Sequence, residues 1–288
     1  MTATIAATGP NAEQIEYWNS DRARNWVALE ARLDALIEPF GALAIDHAQL
    51  ATGERVIDVG CGCGATTLAL AARVGPAGRV LGVDVSAVML ARARERASSA
   101  GLANVEFANA DAQTHAFAAG AWDCIYSRFG VMFFADPARA FANLRSALCR
   151  DGRVSFACWR AMPENPWVTV PLAALMTFLT PPPPPPPGAP GPFAFGDPDR
   201  VRGILAGAGF EQIELASHTG ELALGGSLDE AVTFAISAGP ASRLLEGATA
   251  ADRARAERAV RDAFAPHVRS GAVSLAGAIW LVTARNPG

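Results

Sequence analysis

The chain has 288 residues, and 51% of them are hydrophobic, which is enough for one large α/β domain with additions or for two small ones. The formal net charge of −4 excludes the basic footprint that is typical of nucleic-acid binders. The first ten residues lack a signal-peptide pattern, and the longest apolar run, residues 271–282, is too short to cross a bilayer. The five cysteines form no C-x-x-C pair, so we expect no metal site. These properties predict a reduced, cytoplasmic protein without a membrane span or a nucleic-acid partner.

Residues 11–49 are predicted to be helical and to belong to an N-terminal cap that covers residues 1–50. Asn11 stands where a helix would begin. An apolar stripe at spacings of three and four follows, made of Trp26, Leu29, Leu33 and Leu36. Aromatic residues in the cap have two possible roles, core packing or a lid over a cationic ligand through cation–π attraction; they are Tyr17, Trp18 and Trp26.

Residues 56–67 organise the rest of the chain. A β-branched apolar run ends in three alternating glycines, Gly60, Gly62 and Gly64, and an alanine- and leucine-rich segment follows. This pattern predicts a buried strand, a tight loop and a helix start. We expect the glycines to let backbone N–H groups approach a ligand beside the helix N-terminus. The loop is therefore a candidate cofactor site.

Two cofactors compete for this loop. Gly60, Gly62 and Ala65 satisfy the dinucleotide fingerprint, and Asp84 lies 20 residues after Gly64. Against a dinucleotide stands Asp58, whose carboxylate would crowd a pyrophosphate. S-adenosylmethionine (SAM) has no phosphates but carries an α-amino group and a sulfonium, which an acidic strand end suits. SAM is the prediction, and an NAD(P)-dependent oxidoreductase is the alternative, disfavoured also because no Tyr-x-x-x-Lys pattern is found.

From Arg55 onward, strands alternate with helices. The predicted strands are 55–59, 79–84, 104–109, 122–126, 153–159, 210–216 and 272–283, and the predicted helices are 65–73, 86–101, 136–148, 197–209, 227–238 and 249–264. The alternation indicates a doubly wound α/β fold with a parallel sheet, which binds ligands at the carboxyl ends of its strands. We assign 51–288 to this domain, with a proline-rich lid at 160–197 and extra helices at 227–265. The prolines at 181–187 predict a stiff polyproline II segment.

Several polar residues follow the predicted strands. Asp84 either binds both ribose hydroxyls of an adenosine or caps the next helix, and Met89 packs on the adenine. Asp111 either accepts from the adenine amine or forms an Asx-type turn. Ser127 and Arg128 would face the methionine end of SAM. Arg128 would alternatively hold an acidic acceptor, or pair with Asp123 or Asp136.

The D-x-G-C-G-x-G sequence that begins at Asp58, together with 111–117, 122–134, 136–137 and 151–153, resembles class I SAM-dependent methyltransferases of the ubiquinone/menaquinone-biosynthesis-like, small-molecule type. The resemblance implies a Rossmann-like seven-stranded sheet with six parallel strands and one antiparallel strand. It implies methyl transfer from SAM to O, N or C of a small-molecule substrate. The cofactor contacts expected are Asp58, Gly60, Cys61, Gly62, Gly64, Asp84, Val85, Met89, Asp111, Ala112, Ser127 and Arg128.

The acceptor side of the site is less defined. His115 is the candidate general base where an acceptor must lose a proton, although a structural role is the competing interpretation. An apolar substrate pocket for a flat or lipophilic acceptor is expected from Phe129, Met132, Phe133, Trp159 and Trp167, although the same residues also fit an ordinary core. The long proline-rich segment departs from the short connections of quinone methylases and argues against a quinone. A non-catalytic SAM-binding protein is the alternative outside enzymes.

Overall fold

The protein is described here by a computed structural model that covers residues 4–288. The described residues contain eleven α-helices: α1 (Ala12–Tyr17), α2 (Asp21–Ala28), α3 (Glu30–His47), α4 (Ala65–Val74), α5 (Ala87–Ser99), α6 (Pro137–Ala147), α7 (Pro166–Met176), α8 (Pro198–Gly207), α9 (Leu228–Ser237), α10 (Gly239–Leu244) and α11 (Ala250–Phe264). They contain eight strands: β1 (Arg55–Val59), β2 (Arg79–Asp84), β3 (Val105–Asn109), β4 (Trp122–Arg128), β5 (Leu148–Trp159), β6 (Glu211–Gly225), β7 (Val268–Arg269) and β8 (Ala272–Arg285).

The chain divides into two compact units. The first comprises the described residues up to Cys158, with Pro190–Ser217 and Trp280–Gly288, and the second comprises Trp159–Ala189 and His218–Ile279. The proline-rich segment is thus split at residue 190. The domain boundaries expected from the sequence stay a prediction.

The strands form one sheet in the order β3-β2-β1-β4-β5-β8-β6, and β7 pairs with β8 in antiparallel orientation. The pairs β1–β2, β2–β3, β1–β4 and β4–β5 are parallel. Parallel strands need covered faces, which is why β1 is a nearly continuous buried apolar run. The predicted doubly wound α/β class is confirmed. The strand order runs outward in opposite directions from β1 and from β4, and such folds bind ligands at the point between these two strands.

Most predicted helix starts carry the cap that the sequence indicated. Ser86 accepts a hydrogen bond from the Met89 N–H at 3.3 Å, Asp136 from the Arg139 N–H at 3.0 Å, and Ser227 from the Glu230 N–H at 3.2 Å. These caps satisfy N–H groups that have no partner inside the helix. Asn11 differs, because its side chain makes no cap bond at α1.

Two segments depart from the prediction. The apolar stripe expected on one helix is divided at Leu29 between α2 and α3, so Leu33 and Leu36 are buried while Trp26 is 37% exposed. Part of the segment expected to be an irregular proline-rich loop is the helix α7. Pro166 occupies its first turn, where its missing N–H costs nothing, and the buried face made by Val168, Pro171 and Leu175 stabilises the rest.

An aromatic cluster fixes α6 on the sheet in the first unit. The Phe141 ring lies 5.6 Å from Phe156, 6.2 Å from Phe195 and 6.4 Å from Phe210, measured between ring centroids. Each buried phenylalanine contributes roughly 1.5–3 kcal/mol of burial free energy. The cluster thus joins α6 to β5 and to the segments around Phe195 and Phe210.

The second unit is organised around Asn165, which is fully buried. Its side-chain oxygen accepts from the Trp167 indole N–H at 3.1 Å and from the Ala278 N–H at 2.9 Å. The ring centroids of Trp167 and Trp159 lie 4.9 Å apart. Trp167 also lines a small apolar cavity with Pro171 and Phe234. Across residues 4–288, no helix combines the length and the apolar character that a membrane crossing requires.

Candidate functional site

The glycine loop between β1 and α4 has a left-handed backbone. The φ angles of Gly60, Gly62 and Gly64 are 69°, 54° and 83°, which glycine adopts without steric cost. A Cβ on Gly60 would lie 2.7 Å from the Gly130 Cα, and one on Gly64 would lie 2.9 Å from the Ala93 Cβ. Glycine is therefore required here by the turn and by close packing.

Four N–H groups of the loop already donate hydrogen bonds inside the protein. The N–H groups of Gly60 and Cys61 donate to the Val83 carbonyl at 2.8 and 3.2 Å, and that of Gly64 donates to the Cys61 carbonyl at 2.9 Å. The Gly62 N–H donates to Oδ2 of Asp84 at 2.8 Å. Our expectation that the alternating glycines present these N–H groups to a ligand is wrong for these four. A phosphate cradle needs such donors free.

Asp58 is the last residue but one of β1, two residues before Gly60, and is fully buried. Its Oδ2 accepts from the Thr66 and Thr67 hydroxyls at 2.7 and 2.6 Å, both at the start of α4. Its Oδ1 is buried and has no hydrogen-bond partner within residues 4–288. Burial raises the pKa of the Asp58 carboxyl to about 6, although the two threonine hydroxyls and the nearby Arg128 charge oppose the rise. A cation beside Oδ1 would complete this carboxylate.

Asp84 ties the glycine loop to the start of α5. Oδ2 accepts from the Gly62 N–H and Oδ1 from the Ser86 N–H at 2.7 Å. Burial raises the pKa of Asp84, and the backbone N–H donors oppose that rise. Asp84 therefore has a local structural role, but the residue that caps α5 is Ser86 and not Asp84. Because each carboxylate oxygen has two lone pairs, the same groups can accept ribose hydroxyls as well, and that contact stays a prediction.

Asp111 makes the Asx-type turn that was the alternative to an adenine contact. Its Oδ1 accepts from the Gln113 N–H at 3.0 Å and from the Asn11 side-chain amide at 3.2 Å. The Asn11 oxygen in turn accepts from the Ala135 N–H at 3.2 Å. The contact between Asp111, or the adjacent Ala112, and adenine stays a prediction.

The N-terminal segment lies across the carboxyl ends of β2 and β3. The Ile5 N–H donates to the Asn109 side-chain oxygen at 2.9 Å. The Asn19 side chain donates to the Val85 carbonyl at 2.9 Å and accepts from the Ala87 N–H at 3.1 Å. With the Asn11 bonds, these contacts fix the segment over the ends of the two strands where Asp84 and Asp111 stand.

The N-terminal aromatic residues pack on one another, on Phe133 and on Cys63 of the glycine loop. The Trp18 ring lies 5.1 Å from Tyr17, 5.6 Å from Trp26 and 5.4 Å from Phe133, all in edge-to-face geometry. Trp18 also packs against a buried cluster of Ala23, Cys63 and Met89. Packing is therefore observed, and the lid role stays a prediction.

Arg128 pairs with neither partner that the sequence suggested. Its guanidinium lies 3.4 Å from Asp34 of α3, while Asp123 pairs with Arg55 at 2.9 Å and Asp136 caps α6. The two sequence-suggested pairings are wrong because α3 packs over the end of β4. Gly41 of α3 makes room, since a Cβ there would lie 3.2 Å from an Arg128 nitrogen.

Ser127 and Phe129 shape the end of β4. The Ser127 hydroxyl donates to the Val59 carbonyl at 2.8 Å and accepts from the Gly130 N–H at 3.1 Å. Phe129 has a φ angle of 63°, which is uncommon for a bulky residue and costs about 1 kcal/mol or more. Such strain concentrates at functional sites.

The remaining candidates are spread over both units. The His115 ring lies 4.8 Å from Phe117, and its carbonyl accepts from Asn143, so its role as a base stays a prediction. Met132 is buried in the first unit, whereas Trp159 and Trp167 belong to the second unit.

Sequence reasoning missed several residues of the site. Thr66 and Thr67 follow the glycine loop directly, so their hydroxyls were visible as candidates to bind Asp58. Asn11 and Asn19 gave no such signal, because the partners they bind in the site lie far along the chain.

Residues 56–152 match the family model described as a methyltransferase domain, and this part of the chain carries that domain. Aklanonic acid methyltransferase DauC of Streptomyces sp. (strain C5) is 36% identical over 118 residues, which is 41% of this chain and 54% of that protein. Nocamycin O-methyltransferase of Saccharothrix syringae is 28% identical over 202 residues, 65% of this chain and 72% of that protein. The chain thus spans about half the length of the first relative.

A solved structure supports the fold over most of the chain. A putative methyltransferase from Bacillus halodurans superposes with a TM-score of 0.57 at 19% identity, covering 86% of this chain and 99% of that one. The predicted methyltransferase family is confirmed for residues 56–152, and the predicted fold class is confirmed with it.

Proposed function

We propose that this chain, which carries a methyltransferase domain at residues 56–152, transfers a methyl group from SAM to an O, N or C atom of a small molecule. One observation carries the proposal. Asp58 has a buried carboxylate oxygen that finds no hydrogen-bond partner within residues 4–288, and four N–H groups of the adjacent glycine loop donate to other groups of the protein.

This arrangement favours SAM over a dinucleotide on physical grounds. A pyrophosphate carries negative charge and needs free N–H donors, and the loop offers it an acidic oxygen instead. The α-ammonium group of SAM has the opposite charge and supplies hydrogen-bond donors, which the Asp58 oxygen lacks. The residues present therefore fit SAM.

When bound, SAM supplies a methyl group that its sulfonium already activates for in-line displacement. The chain's own residues would hold and align the reactants, an effect worth about 7–11 kcal/mol in the best intramolecular cases. Asp58 and Asp84 would bind the two ends of the cofactor. The N-terminal segment would exclude water above the ends of β2 and β3.

An oxygen atom is the acceptor we favour among the three. Nocamycin O-methyltransferase matches over a larger share of this chain than the aklanonic acid enzyme does. A hydroxyl acceptor must lose a proton, and His115 is the candidate base for that step.

The test is a calorimetric titration with SAM, S-adenosylhomocysteine and NAD(H) in parallel. We expect both sulfur ligands to bind and the dinucleotide to give no heat. Binding of the dinucleotide alone would overturn the proposal. A panel of hydroxylated, amino and carboxylic acceptors, assayed for release of S-adenosylhomocysteine, then separates an enzyme from a protein that only binds SAM.

A further inference from the structure

A second buried polar atom near Asp58 is also without a partner. The Tyr126 hydroxyl is fully buried and has no hydrogen-bond partner within the described part of the chain. Tyr126 lies on β4 directly opposite Asp58 on β1, in the parallel register of the two strands. Facing residues of paired strands project from the same side of the sheet. The two partner-free oxygens therefore belong to one buried layer, formed by the side chains above β1 and β4.

The buried hydroxyl of Tyr126 lowers the stability of the fold and is not needed to fill the space. A buried hydroxyl without a partner destabilises a protein by about 1–3 kcal/mol. A phenylalanine would fill the same apolar space without that cost. Buried polar groups are normally hydrogen-bonded to protein or to ordered water. The Tyr126 hydroxyl and Oδ1 of Asp58, on neighbouring strands, are therefore expected to share a hydrogen-bonding ligand.

Every charged or titratable neighbour of Asp58 is accounted for. Its electrostatic neighbours are Arg128 on β4, Asp84 on β2, Cys61 in the loop and Tyr126 itself. Arg128 is held by Asp34 of α3, and Asp84 by two backbone N–H groups. From α4, only the hydroxyls of Thr66 and Thr67 reach Asp58, and both bind Oδ2. Within residues 4–288, the Tyr126 hydroxyl is thus a donor without a partner on the residue that pairs with Asp58 in the sheet.

We propose that one buried water joins the Tyr126 hydroxyl to Oδ1 of Asp58 and to the α-ammonium group of the bound cofactor, so that Tyr126 sets the pH at which the cofactor is captured. The tyrosine and the ammonium donate to the water, and the water donates to Oδ1. Three hydrogen bonds are the usual number for a buried water. Tyr126 is then a positioning residue, and this inference rests on the proposed function.

The pH consequence follows from charge. The ammonium group binds the ionised carboxylate, and burial raises the pKa of Asp58 to about 6. A hydrogen bond donated towards a carboxylate stabilises its ionised form, so removing the hydroxyl raises that pKa further. Cofactor affinity should therefore fall as the pH drops through this region, and it should fall at a higher pH without the hydroxyl.

The experiment is the dissociation constant of SAM measured by calorimetry from pH 5 to pH 8 for the wild type, Tyr126→Phe and Asp58→Asn. We expect the wild-type affinity to fall up to tenfold per pH unit below the inflection. In Tyr126→Phe the inflection should move up by roughly one pH unit, because the carboxylate loses a hydrogen bond donated towards it. In Asp58→Asn the acid-side fall should disappear. 5′-Methylthioadenosine, which lacks the α-amino group, is the matched control ligand and should show no such inflection.

The outcomes separate the inference from the function it rests on. If the wild type binds SAM and the Tyr126→Phe profile superposes on it, the bridging role is wrong while the proposed function stands. If the wild type binds SAM at none of these pH values, both are wrong. If Tyr126→Phe binds SAM more weakly by the same factor at every pH, and the inflection does not shift, Tyr126 does not set the pH at which the cofactor binds.

Discussion

Replacing Asp58 by asparagine should stabilise the protein without its cofactor while weakening cofactor binding. Asp58 is fully buried, and its pKa rises from 3.8 to about 6 on folding. The unfolded chain therefore releases this proton at a lower pH than the folded chain does. The contribution of Asp58 to the free energy of unfolding is therefore most favourable in acid and is lost as the pH rises to about 6. Above that pH the buried charge lowers the free energy of unfolding by about 3 kcal/mol. Asparagine keeps an oxygen for the two threonine hydroxyls and removes the charge.

The magnitude can be tested without the cofactor. Urea unfolding of the wild type and Asp58→Asn at pH 5 and pH 8 gives a stability gap at each pH. We expect the variant to gain about 1.4 kcal/mol more stability over the wild type at pH 8 than at pH 5. At pH 5 the folded wild type is still largely protonated at Asp58, because this pH lies about one unit below its pKa, and one pKa unit corresponds to about 1.4 kcal/mol. The exposed Asp262→Asn is the control and should show no such change. An equal gap at both pH values would refute the assignment of a buried, costly charge.

Three further outcomes follow from the site. Asp84→Ala should weaken SAM binding at least tenfold, about 1.4 kcal/mol, in a calorimetric titration, and unchanged affinity would remove Asp84 from the site. Gly60→Ala should lower the free energy of unfolding by about 2 kcal/mol or more in urea, because its Cβ meets the Gly130 backbone. Gly53→Ala, which shares a positive φ but has nothing within 4 Å of its Cβ, should cost only about 1 kcal/mol, and equal losses would contradict the packing argument. Deleting the first twenty residues should leave a folded core with impaired turnover in a methyl-transfer assay, and full activity would refute the lid.

The local structure was largely predictable from the sequence. The β-branched run at β1, the glycines after it, and the caps at Ser86, Asp136 and Ser227 depend on neighbours within a few residues. Alternation of strands and helices then fixed the fold class, because a parallel sheet needs helical crossovers. The methyltransferase family could be identified on the same basis, because the motif that marks it is one continuous stretch of chain.

Contacts between distant residues required the tertiary structure. Asn11 looked like a helix cap, yet its amide binds Asp111 and the Ala135 N–H, 100 and 124 residues away. One alternative for Arg128 was a pair with Asp123 or Asp136, which are near it in sequence, but α3 brings Asp34 to it across 94 residues. The helix α7 was hidden by its prolines, because the burial that stabilises it is a property of the folded second unit.

The sequence alone determined that Asp58, the glycine loop and Asp84 lie together, since they are set by one strand, one turn and the next strand. Only the tertiary structure decided what those residues are free to do. In the folded chain, four loop N–H groups donate within the protein, and Tyr126 pairs with Asp58 in the sheet. One oxygen of Asp58 has no donor among the residues that the structure describes. Hydrogen-bond partners are assigned by packing in three dimensions, and a buried group's remaining capacity is known only after every neighbour is in place.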